Sequence, residues 1–292
     1  MPVLAGDQPC EAWLGLGPLG SGSCGDLHYR HDAEWLFGVI TLDETAYPFN
    51  GTASLQQAAE AAYRQIFALQ DALGYPCLHR CWNYMADING ISHDLERYRQ
   101  FNVGRQLAFL ASERQVAGQL PAACALGYAD GPLTVAFLAG RSPSTALENP
   151  RQLSAYRYPP QYGPRSPTFA RASLLQRADQ YLLLVSGTAS IVGHETLHHD
   201  DAAAQARESL ANIMAVVEAA NRQLKRNAFG IEHGHYRVYV RHAAQLPQIR
   251  QTLQAAGLPA NALYVAADIC RTDLLLEIEA TFSEHPSLAE SL

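Results

Sequence analysis

Lysine is almost missing from this sequence: Lys225 is the one lysine among 21 basic residues. A phosphate-cradling G-x-x-x-x-G-K-[ST] loop is therefore excluded around Gly187 and Gly193, where its lysine has no source. Positive charge is scarce altogether, and the net charge of −7 argues against a nucleic-acid binder. An anionic ligand would have to be held by a local arginine cluster against that global charge. No apolar run is long enough to span a bilayer, so no membrane partner is expected. The first residues, Met1 to Asp7, show no basic segment followed by an apolar one, so a cytoplasmic chain without a signal peptide is expected. Cys10, Cys24, Cys77, Cys81, Cys124 and Cys270 are then expected to be reduced thiols. Cys77 and Cys81 lack a second pair at metal-ligand spacing, and no zinc is expected there. Gly15-Leu16-Gly17 lacks the third glycine of a dinucleotide fingerprint, and Ser190 stands outside any G-x-S-x-G nucleophile turn.

What is present is a globular composition, 48% hydrophobic and 17% charged, long enough for two domains or one large α/β body. The order of elements repeats. Trp35 to Ile40 is an apolar strand; a helix follows with Leu55, Ala59, Ala62, Ile66, Leu69 and Leu73 on one face. Arg80 to Met85, Ala123 to Tyr128 and Leu133 to Ala139 are further strands, the last two joined by an Asp130-Gly131 turn. The second half offers a strand at Tyr181 to Val185. Its helix is capped by Asp200 or Asp201 and striped by Ala206, Leu210, Ile213, Val217 and Leu224. Strands at Tyr236 to Val240, Leu263 to Ala267 and Leu274 to Phe282 complete it. The offset is roughly 150 residues, about one domain length. Between the halves lies a Pro/Tyr/Arg-rich stretch, Glu148 to Arg171, whose tyrosines and arginines suit an ordered loop over a site or a packed surface.

The stretch from Ile269 to Phe282 reads as a strand in which carboxylates interrupt an apolar run. Its counterpart in the first half carries Ala136 where this one carries Glu277. Alternation puts Leu274, Leu276, Ile278 and Ala280 on one face and Leu275, Glu277, Glu279 and Thr281 on the other. Two carboxylates on one partly buried face repel, so at least one pKa should rise. A carboxyl protonated near neutral pH can act as a general acid; an arginine ion pair would instead keep it ionised and structural. A second motif, His194-Glu195-Thr196-Leu197-His198, matches the zinc-protease H-E-x-x-H, which needs both histidines on one helical face. Here it precedes the cap at Asp200 or Asp201, so a loop without metal is expected.

These segments resemble a known family. Val185 to Ser190, the helix after it, Val238-Tyr239-Val240 and Leu276 to Ala280 look like the RidA/YjgF fold. More specifically, the chain resembles the chorismatases over nearly its whole length. The carrying segments are Cys81 to Asn89, Glu96 to Arg105, the Tyr158 to Arg171 loop, Gly187 to Glu195 and Cys270 to Glu279. The resemblance implies an α/β (α+β) chain of two RidA/YjgF-like halves, each a mixed sheet packed against helices. Residues 1–147 would be a degenerate N-terminal domain, 148–171 the ordered loop and 172–292 the catalytic domain. It implies chorismate as substrate, no metal and no other cofactor, and a monomer or a trimer.

Chorismate carries two carboxylates and an enol ether joining pyruvate to a cyclohexadiene ring. Protonation of the enol-ether methylene gives an oxocarbenium ion, and C–O cleavage releases pyruvate. By matching position Glu277 would be the acid. Arg241, Tyr162, Arg165 and Tyr158 are the candidates for holding substrate, arginine gripping carboxylate bidentately. Family members either add water, giving a dihydroxy-cyclohexadiene carboxylate, or aromatise to 3-hydroxybenzoate, some also making 4-hydroxybenzoate. Cys270 matches the aromatising branch and Ala189 the hydrolytic one; 3-hydroxybenzoate is the expected product. A small core thiol at Cys270, and a RidA-like imine deaminase or small-molecule binder, are the competing readings.

Overall fold

The computed structural model describes residues 1–6, 11–15, 17–177 and 180–284; Cys10 and Leu16 lie outside the described residues. The chain divides into two compact units. The first body comprises Ala12–Ser144 and Ala155–Phe169, and the second Met1–Glu11, Thr145–Ser154 and Ala170–Leu292. The units therefore interleave along the chain, and the opening strand β1 (Val3–Ala5) belongs to the second body.

The first body contains β2 (Gly20–Cys24), β3 (Leu27–His31), β4 (Trp35–Leu42), α1 (Ser54–Leu73) and β5 (Cys77–Ala86). It continues with α2 (Arg97–Ala111), β6 (Ala122–Tyr128) and β7 (Leu133–Gly140). Within it the strands lie in the order β6-β5-β7-β4-β3-β2. The β5–β6 pair is parallel and the other neighbours are antiparallel. The apolar stripe of α1, from Leu55 through Ile66, is buried against β4 and β7. Gly74 ends the helix in the left-handed region, with φ 73°, where glycine carries no Cβ penalty. The α2 helix escapes the apolar periodicity because its buried side includes Gln100, Asn102 and Arg105. It crosses α1 at Gly104, where a Cβ would sit 2.1 Å from the Gln56 carbonyl oxygen.

The second body adds β8 (Thr145–Leu147), β9 (Ala172–Arg177), β10 (Gln180–Thr188) and α3 (Ala202–Leu224). It ends with β11 (Gly234–Val240), α4 (Leu246–Ala255), β12 (Leu263–Ala266) and β13 (Leu276–Ser283). Its seven-stranded sheet runs β1-β12-β11-β13-β10-β9-β8, with β11–β12 parallel and the other neighbours antiparallel. Asp201 caps α3, its side chain accepting from the Ala204 N–H at 2.9 Å. Leu210, Ile213 and Val217 drive the packing of α3 on the sheet, each worth about 1.5–3 kcal/mol of burial. The single lysine closes the same helix: Lys225 is its left-handed C-cap, φ 56°, where a cation faces the negative end of the helix dipole.

Two bodies, each a mixed sheet backed by helices, give the expected α+β class. Among the described residues no helix is long and apolar enough to cross a membrane, and Cys24, Cys77, Cys81, Cys124 and Cys270 are free thiols.

His79 of β5 is 1% exposed, and burial pushes its imidazole down to about 4. The unfolded chain, with an ordinary histidine near 6.5, binds the proton first as pH falls. Stability should therefore decline as pH drops from about 6.5 toward 4, by roughly 3 kcal/mol in all. Urea unfolding across that range should show the slope, and His79→Gln should flatten it.

Candidate active site

The acid strand is β13, and its partner β11 decides what each carboxylate meets. In their antiparallel register Arg237 stands opposite Glu279 and Tyr239 opposite Glu277. Val238, Val240, Leu276, Ile278 and Ala280 point into the helix-side core, so alternation puts Arg237, Tyr239, Glu277 and Glu279 on the other face. Glu277 is 3% exposed and Glu279 4%. Arg237 Nη1 donates to Glu279 Oε1 at 2.6 Å, and the Tyr239 hydroxyl donates to the same oxygen at 3.0 Å. The ion-pair reading of a buried strand acid therefore describes Glu279. Glu277 has a phenol, rather than a guanidinium, as its cross-strand neighbour on β11.

The other neighbour, β10, is irregular beside the two acids. Val185 pairs with Ala280 and Thr188 with Ile278, so β10 spends one more residue than β13 between these points. Such a bulge bends the strand and re-aims its side chains. The Ser186 hydroxyl donates to the Ala170 carbonyl at 2.7 Å and Thr188 Oγ1 to the Ser186 carbonyl at 2.7 Å. Ala189 follows in a turn held by Asn212, whose side-chain amide donates to the Ala189 and Ile191 carbonyls at 3.0 and 2.9 Å.

The chain reaches β13 through a turn, not a strand. Regular pairing begins at Leu276, and Leu275 packs in the helix-side core instead of sharing the carboxylate face. The physical reason is that the Leu275 N–H is bonded to Gln205 Oε1 at 2.8 Å, drawing this residue toward α3. Cys270 lies in that turn, half-buried.

Arg241 is expected to hold a substrate carboxylate, yet its guanidinium is engaged by the same turn. Nε donates to the Leu274 carbonyl at 2.8 Å, Nη1 to Asp268 Oδ1 at 2.7 Å, and Nη2 to the Ile269 and Arg271 carbonyls at 3.0 and 2.8 Å.

The H-E-x-x-H motif lies on a hairpin of Ile191–Val192 with Glu195–Thr196 and on the turn after it. His198 has φ 60°, and α3 starts only at Ala202. The two histidines are thus not on successive turns of a helix. The segment braces the Cys270 turn: Arg271 Nη1 donates to the His194 carbonyl at 2.9 Å, and Thr196 Oγ1 to Asp273 Oδ1 at 3.2 Å. His198 faces Glu208 at 3.5 Å. Among the described residues no three His, Cys, Asp or Glu side chains are grouped as a metal ion requires.

Tyr158, Tyr162 and Arg165 belong to the first body. Their segment is shaped by 3-10 turns at Ala155–Arg157 and Pro160–Tyr162. The Tyr158 and Tyr162 rings lie 5.3 Å apart, and Ser166 Oγ donates to the Tyr158 carbonyl at 3.1 Å. Arg165 is exposed.

Residues 11–139 match the N-terminal domain of the FkbO/Hyg5-like chorismatases. A chorismatase of Streptomyces rapamycinicus is 42% identical over 277 residues, covering 92% of this chain and 80% of its own. The chain belongs to the chorismatase family. A 3-hydroxybenzoate synthase of Streptomyces hygroscopicus is 38% identical over 283 residues, covering 92% of this chain and 80% of its own. The crystal structure of a chorismatase matches with a TM-score of 0.81 at 36% identity, over 90% of this chain and 78% of that one. The YjgF gene product of E. coli matches 48% of this chain and 97% of its own, with a TM-score of 0.33 and 21% identity.

Arg237 and Tyr239 bond the acid strand and Gln205 the turn before it, and none of the three is assigned a role from sequence alone. Arg237 and Tyr239 carry a usable signal, because they alternate with Tyr236, Val238 and Val240 along one strand. Gln205 shows only as a polar residue on the apolar stripe of a helix.

Removing Arg237 should leave the buried Glu279 carboxylate without this guanidinium. Arg237→Met is expected to cost roughly 3 kcal/mol in chemical unfolding. The double variant Arg237→Met/Glu279→Gln, which removes both charges, should recover most of the loss.

Proposed function

We propose that the protein converts chorismate to 3-hydroxybenzoate and pyruvate, with 4-hydroxybenzoate as a side product, and that Glu277 delivers the proton. The observation that carries this reading is a buried carboxyl on β13, in a chorismatase-family chain, whose neighbouring acid already has its own arginine. Burial disfavours the charged carboxylate, and Glu277 is 3% exposed. Glu277 is the acid suited to protonate the enol-ether methylene. The oxocarbenium ion so formed breaks at the ring C–O bond and pyruvate departs with that oxygen. The neighbouring ring hydroxyl then closes on the vacated carbon, giving up its proton. Reopening at its original carbon and loss of the hydrogen on the newly oxygenated carbon give 3-hydroxybenzoate, whereas proton loss without this migration gives 4-hydroxybenzoate. Hydroxybenzoate and pyruvate together contain the atoms of chorismate, so this route adds no water. Tyr158, Tyr162 and Arg165 are proposed to contact substrate.

The name of the relative from S. hygroscopicus, 3-hydroxybenzoate synthase, and Cys270 support aromatisation. Ala189, in the turn after the β10 bulge, favours the hydrolytic alternative, which would add one water and give a dihydroxy-cyclohexadiene carboxylate. Turnover in ¹⁸O-water separates them: aromatisation places no label on the ring product.

Glu277→Gln should reduce pyruvate release from chorismate by about 100-fold or more, the usual worth of a general acid, with the unfolding midpoint retained. Turnover at the wild-type rate would dismiss Glu277 as the acid. Cys270→Val should shift the ring product, followed by chromatography with mass detection, from 3-hydroxybenzoate toward the dihydrodiol.

A further inference from the structure

The residues around Cys270 form no strand ladder among themselves, yet their backbone is held from two sides. Arg241, just past the end of β11, spreads its guanidinium over carbonyls on both flanks of the cysteine, Ile269 on one side and Arg271 and Leu274 on the other. Its main-chain N–H adds a bond to the Leu275 carbonyl at 3.0 Å. From α3, the buried Gln205 accepts from the Leu275 N–H and donates to the Asp273 carbonyl at 2.9 Å. One planar, five-donor group can satisfy carbonyls arriving from several directions; an ammonium, whose donors radiate from a single nitrogen, cannot span them.

We infer that Arg241 and Gln205 are positioning residues that decide which product leaves, by fixing residues 270–275 and with them the Cys270 thiol. This rests on the chorismate-converting reading above. The two residues do not hold Glu277 directly, since β13 is fixed by its ladders to β11 and β10. Loosening the clamp should therefore move the thiol more than the acid. Misplacement by an ångström can change the rate of one path about 100-fold, and competition between aromatisation and water addition would register even a fraction of that.

Arg241→Lys and Gln205→Met serve as separate tests, so that a folding failure in one leaves the other. In each, peptides covering 270–275 should exchange amide hydrogen about tenfold faster, while β13 peptides keep their wild-type rate. With chorismate, the ratio of hydroxybenzoate to dihydrodiol should shift about tenfold, more than kcat for pyruvate release falls. Unchanged exchange would overturn the clamp. Faster exchange with an unchanged product ratio would overturn its link to product choice. A rise in KM alone, with exchange and ratio unaltered, would make Arg241 a ligand of the substrate carboxylate and overturn the positioning role. If the wild-type protein releases no pyruvate from chorismate, the proposed function fails and the product link with it, and hydrogen exchange still decides whether the clamp exists.

Discussion

Two carboxylates two residues apart on a buried strand face are an electrostatic burden that the second body must compensate. Taking either ion out of water costs several kcal/mol, and a partner charge offsets it only with good geometry. Arg237 and the Tyr239 hydroxyl converge on one oxygen of Glu279, and that compensation ties β11 to β13 in a single register. A slip of one residue would turn Glu277 and Glu279 into the helix-side core and Leu276, Ile278 and Ala280 out of it. The apolar face and the acid face thus enforce the same pairing from opposite sides. The chemistry assigned to Glu277 depends on that register, which keeps its carboxyl on the acid face.

The approach to the strand is organised differently. Residues 270–275 lie outside the regular strands, and a buried backbone polar group left unpaired costs about as much as a lost hydrogen bond. Side chains answer it: Arg241 and Gln205 from within the second body, and Arg271 reaching back to the His194 carbonyl. The H-E-x-x-H stretch, so suggestive as a string, contributes backbone acceptors and a hairpin. The near absence of lysine also looks less neutral here. At both Arg237 and Arg241 the guanidinium makes contacts in several directions that an ammonium could not reproduce.

How far this was legible in the sequence follows the range of the interactions. Alternation along Leu276 to Phe282, the stripe of α3 and the cap at Asp201 are local patterns, and each is where the sequence places it. The turn through Cys270 is not, because Leu274 and Leu275 extend the apolar run without a break and hide the point where the ladder starts. What ends the run is Gln205, 70 residues away in sequence, and no periodicity encodes such a contact. The α2 helix was hidden for the opposite reason: its buried face carries Gln100, Asn102 and Arg105, so the apolar stripe that announces a helix is interrupted. Arg237 and Tyr239 sit between these cases, visible as alternating residues but given meaning only by the register with β13.

The two bodies share one plan, since β6-β5-β7-β4-β3-β2 and β12-β11-β13-β10-β9-β8 follow the same order with the parallel pair at the same end. Their equivalent positions can therefore be compared residue by residue. Trp82 opposes Ala136 in the first body where Tyr239 opposes Glu277 in the second, and Arg80 opposes Leu138 where Arg237 opposes Glu279. The cation is present in both, and the residue opposite it across the strand pair is Leu138 in the first body and Glu279 in the second. The indole of Trp82, over which the Arg80 guanidinium lies at 5.1 Å, offers a cation–π face but no hydroxyl to share with an acid. Equivalent strand positions thus carry an arginine and an aromatic residue in both bodies, facing Leu138 and Ala136 in one and Glu279 and Glu277 in the other. The acids proposed for proton delivery thus distinguish the second body by side chains alone, on a strand order that both bodies share.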